Sequence, residues 1–273
     1  LSSEDGKIHG NIHINGTSTG RCSSSNPNLQ NTPHTLGDTN IKKSFIPTPI
    51  HEDSWWESES NRAQAEEFGW VKGDRLVWAD LDFSGAEVRV LTRYAPDQSL
   101  IEALVEGLDV HSWMTSEIHG LDYAKVNTER AIKGSTMESL RSDTKKVVFG
   151  TLYGITAHGL NARMGFTEER AQEIIDKLMQ RFPDIQTYIE NTKREISAKG
   201  FVVTPYGRFR RFPMAKVGRW MEGRNHRQGV NFLIQSYCSD IVMSCLKNIA
   251  ATRKEVSLRL LLTVHDSICF EMP

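Results

Sequence analysis

The sequence lacks the features that mark membrane, exported and zinc-binding proteins. Its four cysteines (Cys22, Cys238, Cys245 and Cys269) form no CxxC pair and have no zinc-type spacing. No apolar run approaches the roughly 18 residues that a membrane-spanning helix needs, and the N-terminus does not resemble a signal peptide. We therefore expect a soluble protein of a reducing compartment, with no membrane partner.

A strong net charge is also missing, because 33 Lys and Arg residues stand against 34 Asp and Glu residues. The overall balance therefore does not indicate a nucleic-acid partner. Locally the charge is uneven: residues 193–227 hold ten Lys and Arg against Glu195 and Glu222, a net of +8. Such a segment either binds phosphates or forms an ordinary solvated basic face, and the sequence leaves both open.

Periodicity predicts an α+β protein whose small sheet is assembled from distant segments. Apolar, β-prone patterns predict a strand over 75–83 and a closing hairpin around His265-Asp266-Ser267. A short strand at Ile12 to Ile14 and a hairpin over 201–212 are further candidates. Because helical signals fill most of the chain between the two main strand segments, we expect a mostly helical insertion there.

Helical periodicity begins abruptly at Ser84 and dominates from Gln98 to about Lys199. Within this region the sequence T-E-E-R, starting at Thr167, is typical of a helix N-terminus. A further helix is predicted from about Arg224 to Ala251. The 273 residues are enough to bury a sizeable core, either as one large domain or as two lobes.

Two aspartates stand at predicted strand ends. Asp82 lies at the C-terminal end of the strand over 75–83, and Asp266 lies in the closing turn between apolar residues. A carboxylate in apolar surroundings is unfavourable unless something neutralises it, and two adjacent carboxylates repel each other. Mg²⁺ takes oxygen ligands, often only one or two carboxylates, and two such ions hold the attacking and leaving oxygens in phosphoryl transfer. The alternative is two unrelated aspartates.

A second candidate site follows one face of the helix predicted in RSDTKKVVFGTLYG. Arg141, Lys145, Phe149 and Tyr153 recur at every fourth position, which forms a slowly turning stripe roughly 18 Å long. Two cations followed by two aromatic rings suit a polyphosphate at one end and a stacked base at the other. An ordinary amphipathic helix is the alternative. Gly154 is unfavourable in a helix by about 1 kcal/mol, which indicates close approach by another element.

Four segments, in this order, resemble the family A DNA polymerases of the DNA polymerase I type. They are TGRCSSSNPNLQNTP (19–33), DLDFSGAEVR (80–89), RSDTKKVVFGTLYG (141–154) and TVHDS (263–267). Supporting stretches are LDVH (108–111), PYGRFRRFP (205–213) and RQGVNFLIQ (227–235). The resemblance covers nearly everything from Thr19 onward.

The resemblance implies a right-hand polymerase palm, built on a small antiparallel sheet with helices, and a mainly helical fingers subdomain. It places the palm at 1–110 and 221–273 and the fingers at 111–220. The family's thumb and exonuclease domain are absent from this chain, as are the helix and strand that normally follow the last hairpin. We expect a piece of a longer polymerase or an unusually reduced one, acting as a monomer or within a longer chain.

The resemblance also implies roles for individual residues. Asp82 and Asp266 match the metal-binding aspartates, with the Phe83 carbonyl as a further ligand, for two Mg²⁺ ions that Mn²⁺ can replace. The matching nucleotide-binding positions are Arg141, Lys145 and His111 for the triphosphate, Phe149 for the incoming base, Tyr153 near the template, and Glu87 at the sugar 2′ position. The matching DNA contacts are Arg21, Arg227, Asn231, Gln235 and His265.

Three positions qualify these roles. Glu87 also completes a possible capping box that begins at Ser84, and both roles can hold. Gly85-Ala86 replaces the Gln-Ile of bacterial members and is closer to phage-type members. Ser267 stands where the family usually has a third carboxylate, which puts in question how metal and water are held on that side.

The implied function is template-directed addition of deoxynucleotides to a primer 3′-hydroxyl on primer–template DNA, with release of pyrophosphate and Lys145 as a catalytic proton donor. A single-subunit RNA polymerase shares the fold and both aspartates, although Glu87 and segment 19–33 favour DNA synthesis. A polymerase-derived DNA-binding module with little activity is the second alternative. The implied location is the cytoplasm of a bacterium or a phage-infected cell, with an organelle as the open alternative.

Overall fold

The fold is described from a computed structural model, which covers residues 7–32, 35–36, 39–40, 45–213 and 218–273. Within these residues no helix is long and apolar enough to cross a membrane. The chain divides into two compact units. The first combines Leu1–Ser84 with Cys238–Pro273, and the second is Gly85–Tyr237. The assignment of palm and fingers, with boundaries at 110 and 220, stays a prediction.

Short strands lie toward the two ends of the chain, and a run of helices fills most of residues 86–199 between them. In chain order they are β1 (Asn11–His13), β2 (Ser23–Ser25), β3 (Thr35–Leu36), β4 (Thr39–Asn40), α1 (Glu59–Phe68), β5 (Val77–Asp82), α2 (Ala86–Tyr94), α3 (Gln98–Val105), α4 (Val110–His119), α5 (Tyr123–Glu129), α6 (Thr136–Leu152), α7 (Ala157–Met164), α8 (Glu168–Arg181), α9 (Pro183–Lys199), β6 (Phe201–Val203), β7 (Phe209–Arg211), α10 (Gly218–Thr252), β8 (Arg259–Val264) and β9 (Ser267–Met272). Short 3₁₀ helices occupy Leu29–Asn31 and Asp53–Glu57. The α+β class predicted from the sequence is confirmed.

The first unit contains the sheet that the sequence predicts from distant segments. Its three strands are antiparallel in the order β5-β9-β8, and Asp82 at the end of β5 lies opposite Ser267 on β9. The closing turn is one residue shorter than predicted, because Ser267 already belongs to β9. His265 in that turn has φ 54°, a left-handed conformation that histidine adopts more readily than most residues.

Two hydrophobic clusters stabilise the first unit. One joins the end of α10 to the sheet and consists of Val242, Leu258, Ile268 and Phe270. The other packs α1 and the 3₁₀ helix before it, with Ile50, Trp55, Ala65, Phe68, Trp70 and Leu76 buried. The indole N–H of Trp70 donates to the backbone oxygen of Ser257 at 2.9 Å, which fastens this second cluster to the loop before β8.

Helices dominate the second unit, as the periodicity predicts. α2 buries Val88, Leu91 and Ala95 on one face. The hydroxyl of Thr167 accepts a hydrogen bond from the Arg170 N–H at 3.2 Å, which confirms the N-cap predicted for α8. α10 starts at Gly218, six residues before the predicted start at Arg224. The predicted hairpin over 201–212 is formed by β6 and β7.

We expect Glu271→Ala to lower the free energy of unfolding by about 3–5 kcal/mol, because it breaks a buried ion pair. Glu271, on β9, is 2% exposed and accepts from Arg259 at 2.9 Å. It also accepts from the N–H and hydroxyl of Thr48 at 3.0 and 2.8 Å. Without the carboxylate, the Arg259 guanidinium and the N–H and hydroxyl of Thr48 lose the acceptor that they share. Urea unfolding followed by circular dichroism measures the change.

Glu255→Ala is the matched control for this prediction, since Glu255 is an exposed carboxylate in the same unit. We expect it to change the free energy of unfolding by no more than about 0.5 kcal/mol. Equal midpoints for the two variants would contradict the structural role of the Glu271 network.

Candidate functional site

The two candidate metal ligands come together at one end of the sheet in the first unit. Asp82 ends β5 opposite Ser267, and the Phe83 N–H donates to the backbone oxygen of Asp266 at 3.4 Å. The antiparallel pairing therefore brings residues 82–83 beside residues 266–267, although the two segments are far apart in sequence. Whether these carboxylates bind metal stays a prediction.

The Asp266 carboxylate is neutralised by a cation from the protein itself. The Arg21 guanidinium donates to Asp266 Oδ1 at 2.9 Å, and both side chains are about one-fifth exposed, at 20% and 21%. The segment carrying Arg21 is fastened nearby, because the Gln30 side-chain amide donates to the backbone oxygen of Thr263 on β8 at 2.9 Å. The sequence showed no partner for the Asp266 carboxylate, and in the structure Arg21, a predicted DNA contact, balances its charge.

The donor set at this sheet end fits Mg²⁺ better than zinc. It offers the carboxylates of Asp82 and Asp266 and the backbone carbonyl of Phe83, all oxygen donors. In the described parts of the chain, no three His, Cys, Asp or Glu side chains come close enough to hold a metal by themselves. Mg²⁺ commonly needs only one or two carboxylates when substrate phosphates complete its shell, whereas zinc sites usually present three or four protein ligands.

The cation and aromatic stripe forms in the second unit. α6 carries Arg141, Lys145 and Phe149, and Tyr153 is its C-cap residue. The Phe149 ring lies 5.3 Å from that of His111 and 6.1 Å from that of Tyr153, measured between centroids. The Lys145 side chain is exposed. Five of the six predicted nucleotide-binding residues thus lie along α6, its C-cap and the adjoining part of α4.

Arg141 is held by a carboxylate that the sequence interpretation missed. Its guanidinium donates to both oxygens of Asp109, at 2.8 and 3.1 Å, and to the Ser112 hydroxyl at 2.9 Å. Asp109 is the N-cap of α4 and also pairs with Arg130 at 2.6 Å. Burial alone would raise the pKa of Asp109, but hydrogen bonds from Ser112 and Arg141 lower it well below its usual range. Asp109 precedes Ser112 by three residues at the start of a helix, and this N-cap spacing is the sequence signal that could have identified Asp109.

His111 is held neutral near pH 7 by its surroundings. Burial lowers the pKa of His111 from 6.5 to about 4, and the positive charges of Lys145 and Arg141 act in the same direction. The nearby Asp109 opposes the shift. Because the folded pKa is below the unfolded one, the unfolded chain binds more protons between about pH 4 and 6.5. Stability from this group is therefore lost as pH falls through that window.

We expect an NMR titration to place the pKa of His111 near 4 without nucleotide and to raise it when a deoxynucleoside triphosphate is added. A bound polyphosphate favours the charged imidazole. The imidazole proton signals, assigned with a His111→Gln variant, provide the measurement. Addition of the uncharged nucleoside is the control and should leave the titration unchanged. A pKa near 6.5 in the free protein would contradict the burial described here.

Glu87 is buried, 9% exposed, and its carboxylate accepts a hydrogen bond from the Tyr153 hydroxyl. The predicted helix start is wrong by one residue, since the N-cap of α2 is Gly85 and not Ser84. Gly85 has φ 62°, a conformation that glycine adopts without strain and serine rarely adopts. The carboxylate of Glu87 therefore bridges the start of α2 to the end of α6.

Three predicted DNA contacts form a stripe on α10. Arg227, Asn231 and Gln235 are spaced by four residues, within the second unit. Gly154 allows this helix to approach α6, since a Cβ there would lie 2.6 Å from Cγ of Arg227. The amide oxygen of Asn231 has no hydrogen-bond partner within the described residues. The other two predicted contacts, Arg21 and His265, belong to the first unit.

Comparison with known proteins gives consistent matches. The model of DNA polymerase family A matches residues 1–273. DNA polymerase I of Chloroflexus aurantiacus is 33% identical over 98% of this chain, and that of Bacillus subtilis is 31% identical over 98%. The chain spans about a quarter of these relatives, 25% and 27% of their lengths. The relatives named here are bacterial, and the predicted likeness to phage-type members stays a prediction.

A solved structure gives the same match in three dimensions. The polymerase domain of Pol1 from M. smegmatis, in complex with DNA primer-template and dNTP, superposes with a TM-score of 0.79 and 26% sequence identity. The match covers 99% of this chain and 42% of that one. The family model covers the whole chain, and the fold agrees. The chain therefore belongs to DNA polymerase family A.

Proposed function

We propose that this chain carries the nucleotidyl-transfer centre of a DNA-directed DNA polymerase, which extends a primer 3′-hydroxyl with deoxynucleotides and releases pyrophosphate. The observation that carries the proposal is that Asp82, at the end of β5, lies beside the turn that carries Asp266 and leads into the paired strand β9. Family membership makes polymerisation the expected use of two such carboxylates. The DNA primer-template and dNTP of the matched structure support the same substrates for this chain.

In the first unit, Asp82, Asp266 and the Phe83 carbonyl would hold Mg²⁺. The chemistry that bound Mg²⁺ supplies is a lowered pKa for the primer hydroxyl and compensation of negative charge on the transferred and leaving phosphates. Arg21 balances the charge of Asp266 in the free protein, at 2.9 Å. In the complex we propose that its guanidinium turns to the DNA, which leaves the Asp266 carboxylate available as a ligand.

In the second unit, Lys145, Arg141 and His111 would bind the triphosphate. Lys145 is the exposed cation of the set, which suits contact with a soluble polyanion and proton donation to the leaving pyrophosphate. Arg141 keeps its guanidinium oriented through the bidentate pair with Asp109. His111 can donate one N–H while neutral and gains charge when the polyanion approaches.

The aromatic end of the stripe would recognise the base and the sugar. Phe149 offers a ring face for the incoming base, and Tyr153 lies near the template in this proposal. The hydrogen bond from Tyr153 fixes the Glu87 carboxylate, which would then exclude a 2′-hydroxyl by its bulk. Binding of the wrong sugar therefore carries a steric and desolvation penalty.

The proposed DNA contacts use the remaining polar residues. Arg227, Asn231 and Gln235 on α10 present donors and acceptors that suit the minor-groove edge of the primer–template. The amide oxygen of Asn231 is buried and has no partner among the described residues, so we assign the DNA contact to its exposed neighbour Arg227 first. His265, exposed in the closing turn, would contact the primer end beside Asp266.

The experiment that tests the proposal is primer extension by this chain, with labelled primer–template DNA and Mg²⁺. Deoxynucleotides and ribonucleotides are supplied in separate reactions, and EDTA is the negative control. We expect extension only with deoxynucleotides and only with the metal. Extension with ribonucleotides alone would favour an RNA polymerase, and DNA binding without extension would favour a binding module.

A further inference from the structure

The hairpin of β6 and β7 has one face anchored in the second unit. Val202 is 0% exposed, and Arg210, its partner across the hairpin, lies over the rings of Phe212 and Phe232 at 5.6 and 5.8 Å. Arg210 also donates to the side-chain oxygen of Gln228 at 2.8 Å. Side chains alternate between the two faces of a strand. Since Val202 and Arg210 point into the second unit, their neighbours along each strand lie on the opposite face of the hairpin.

The opposite face presents aromatic rings and a cation. Phe201, Phe209 and Arg211 share this face, and the two phenyl rings lie 5.5 Å apart. Phe209 is 52% exposed, and the Arg211 guanidinium lies 5.5 Å from its ring. At the hairpin turn Tyr206 is 57% exposed, with its ring 5.6 Å from that of Tyr237. Large aromatic rings exposed on so small a hairpin are unfavourable unless a partner covers them.

The charge around these rings identifies the partner. Residues 193–227 carry ten Lys and Arg against two acids; Lys216 and the side chain of Arg219 lie outside the described part of the chain. Of the two acids, Glu195 pairs with Lys199 at 2.9 Å, and Glu222 lies 3.8 Å from the imidazole of His226. The hairpin itself, residues 201–212, carries three arginines and no acid, and Arg211 lies beside an exposed ring, which favours a polyanion with flat apolar faces.

We propose that the β6–β7 hairpin is a binding site for single-stranded DNA, with bases stacked on Phe209 and Tyr206 and phosphates contacted by Arg211. Rings interleaved with cations bind unpaired nucleic acid because every base has a face to stack, whereas bases in a duplex are already stacked on each other. In a polymerase the unpaired nucleic acid is the template ahead of the primer. That assignment rests on the proposed function; the single-strand binding itself does not.

An apolar partner would not need this charge. A protein surface covering the same face would bury Arg211 and its cationic neighbours without supplying phosphates. When bases stack on the ring faces, the Arg211 guanidinium stays free to contact the phosphates of the DNA backbone. The observations therefore favour a nucleic-acid strand over a protein segment.

The test is binding of fluorescein-labelled dT20 to the whole chain, by fluorescence polarisation without Mg²⁺ or nucleotides. We expect Phe209→Ala to weaken binding about 5- to 150-fold, since one base stacked on an aromatic ring contributes about 1–3 kcal/mol. Phe209→Tyr should bind like the unaltered chain. Arg211→Gln should reduce the slope of log K against log salt by about 0.7, the value for one phosphate contact on a single strand.

Matched controls separate the site from general effects. Val105→Ala removes another exposed apolar side chain, 80% exposed, and Arg194→Gln removes another exposed cation of the basic segment. Both should leave dT20 affinity within about twofold, and a 20-base-pair blunt duplex should be insensitive to Phe209→Ala. Thermal melting verifies that each variant is folded.

Three results would overturn the site. They are no dT20 binding by the unaltered chain, equal affinities for Phe209→Ala and Val105→Ala, or an equal loss by Phe209→Ala on single strand and duplex. If Phe209→Ala does not fold, the salt slope of Arg211→Gln decides alone. Because the assay contains no nucleotide or metal, its outcome is independent of whether the chain extends a primer.

Discussion

Asp82→Asn is expected to reduce Mg²⁺-dependent primer extension by about a thousandfold or more. The substitution keeps the shape of the side chain and removes the charge that would hold the metal. A catalytic metal supplies several kcal/mol of charge stabilisation in the transition state. Since about 1.4 kcal/mol corresponds to a tenfold change in rate, losing the metal slows extension by orders of magnitude. Since Asp82 is exposed at the end of β5, the protein should remain folded.

Asp80→Asn is the matched control, because Asp80 lies on the same strand two residues earlier and is also exposed. It lies opposite Cys269, away from the turn that carries Asp266. We expect extension by this variant to stay within a few-fold of the unaltered chain. The measurement is single-turnover extension of a labelled primer, with DNA affinity determined in parallel.

The outcome separates three cases. Loss of extension by Asp82→Asn alone, with DNA affinity retained, supports Asp82 as a metal ligand. Comparable extension by Asp82→Asn and the unaltered chain would remove that assignment and leave the two aspartates as unrelated residues of the strand ends. Loss in both variants would indicate general sensitivity of β5 to lost negative charge.

Asp266 differs from Asp82 because it has an internal cation. Asp266→Asn leaves Arg21 without its anion, whereas Asp82 forms no ion pair with another residue of the described ranges. Arg21 therefore explains how the free protein tolerates a carboxylate among apolar residues. It also implies that DNA and metal compete with an ion pair already in place, so metal affinity should be lower in the absence of DNA.

The sequence predicted the local elements well because their signals are local. Alternation located β5 and the closing hairpin, and the helical periodicity that begins at Ser84 located α2, which buries Val88, Leu91 and Ala95. The adjacency of Asp82 and Asp266 followed from placing two β-like segments in one sheet. Each of these inferences uses a period of two or about 3.6 residues, which the chain displays directly.

The partners of the charged side chains could not be predicted in this way. Arg21 and Asp266 are 245 residues apart, and Arg141 and Asp109 are 32 apart. No periodic pattern links such pairs, since each depends on how separate elements pack. Glu271 is a further case: in the sequence it is one acid at the end of an apolar strand, and only the fold surrounds it with Arg259 and Thr48.

Glu87→Ala is expected to raise ribonucleotide incorporation, relative to deoxynucleotide, by about 5- to 150-fold. Removing a side chain that crowds the 2′ position relieves an overlap of about 1–3 kcal/mol. The ratio of kcat/KM for the two nucleotide types, measured on one primer–template, provides the test. Val88→Ala on the same helix is a control for packing, because Val88 is fully buried but is not proposed to contact nucleotide.

Tyr153→Phe distinguishes a steric role from a purely structural one. It keeps the Glu87 carboxylate but removes the hydroxyl that fixes it, so discrimination should fall part of the way. The two changes should be non-additive, because both act through one hydrogen-bonded pair. If Glu87→Ala lowers the melting temperature and leaves the kcat/KM ratio unchanged, the carboxylate serves only to join α2 to α6. Because Gly85 and not Ser84 caps α2, the structural alternative for Glu87 is its contact with Tyr153 rather than a capping box. A changed kcat/KM ratio for the two nucleotide types would exclude that purely structural role.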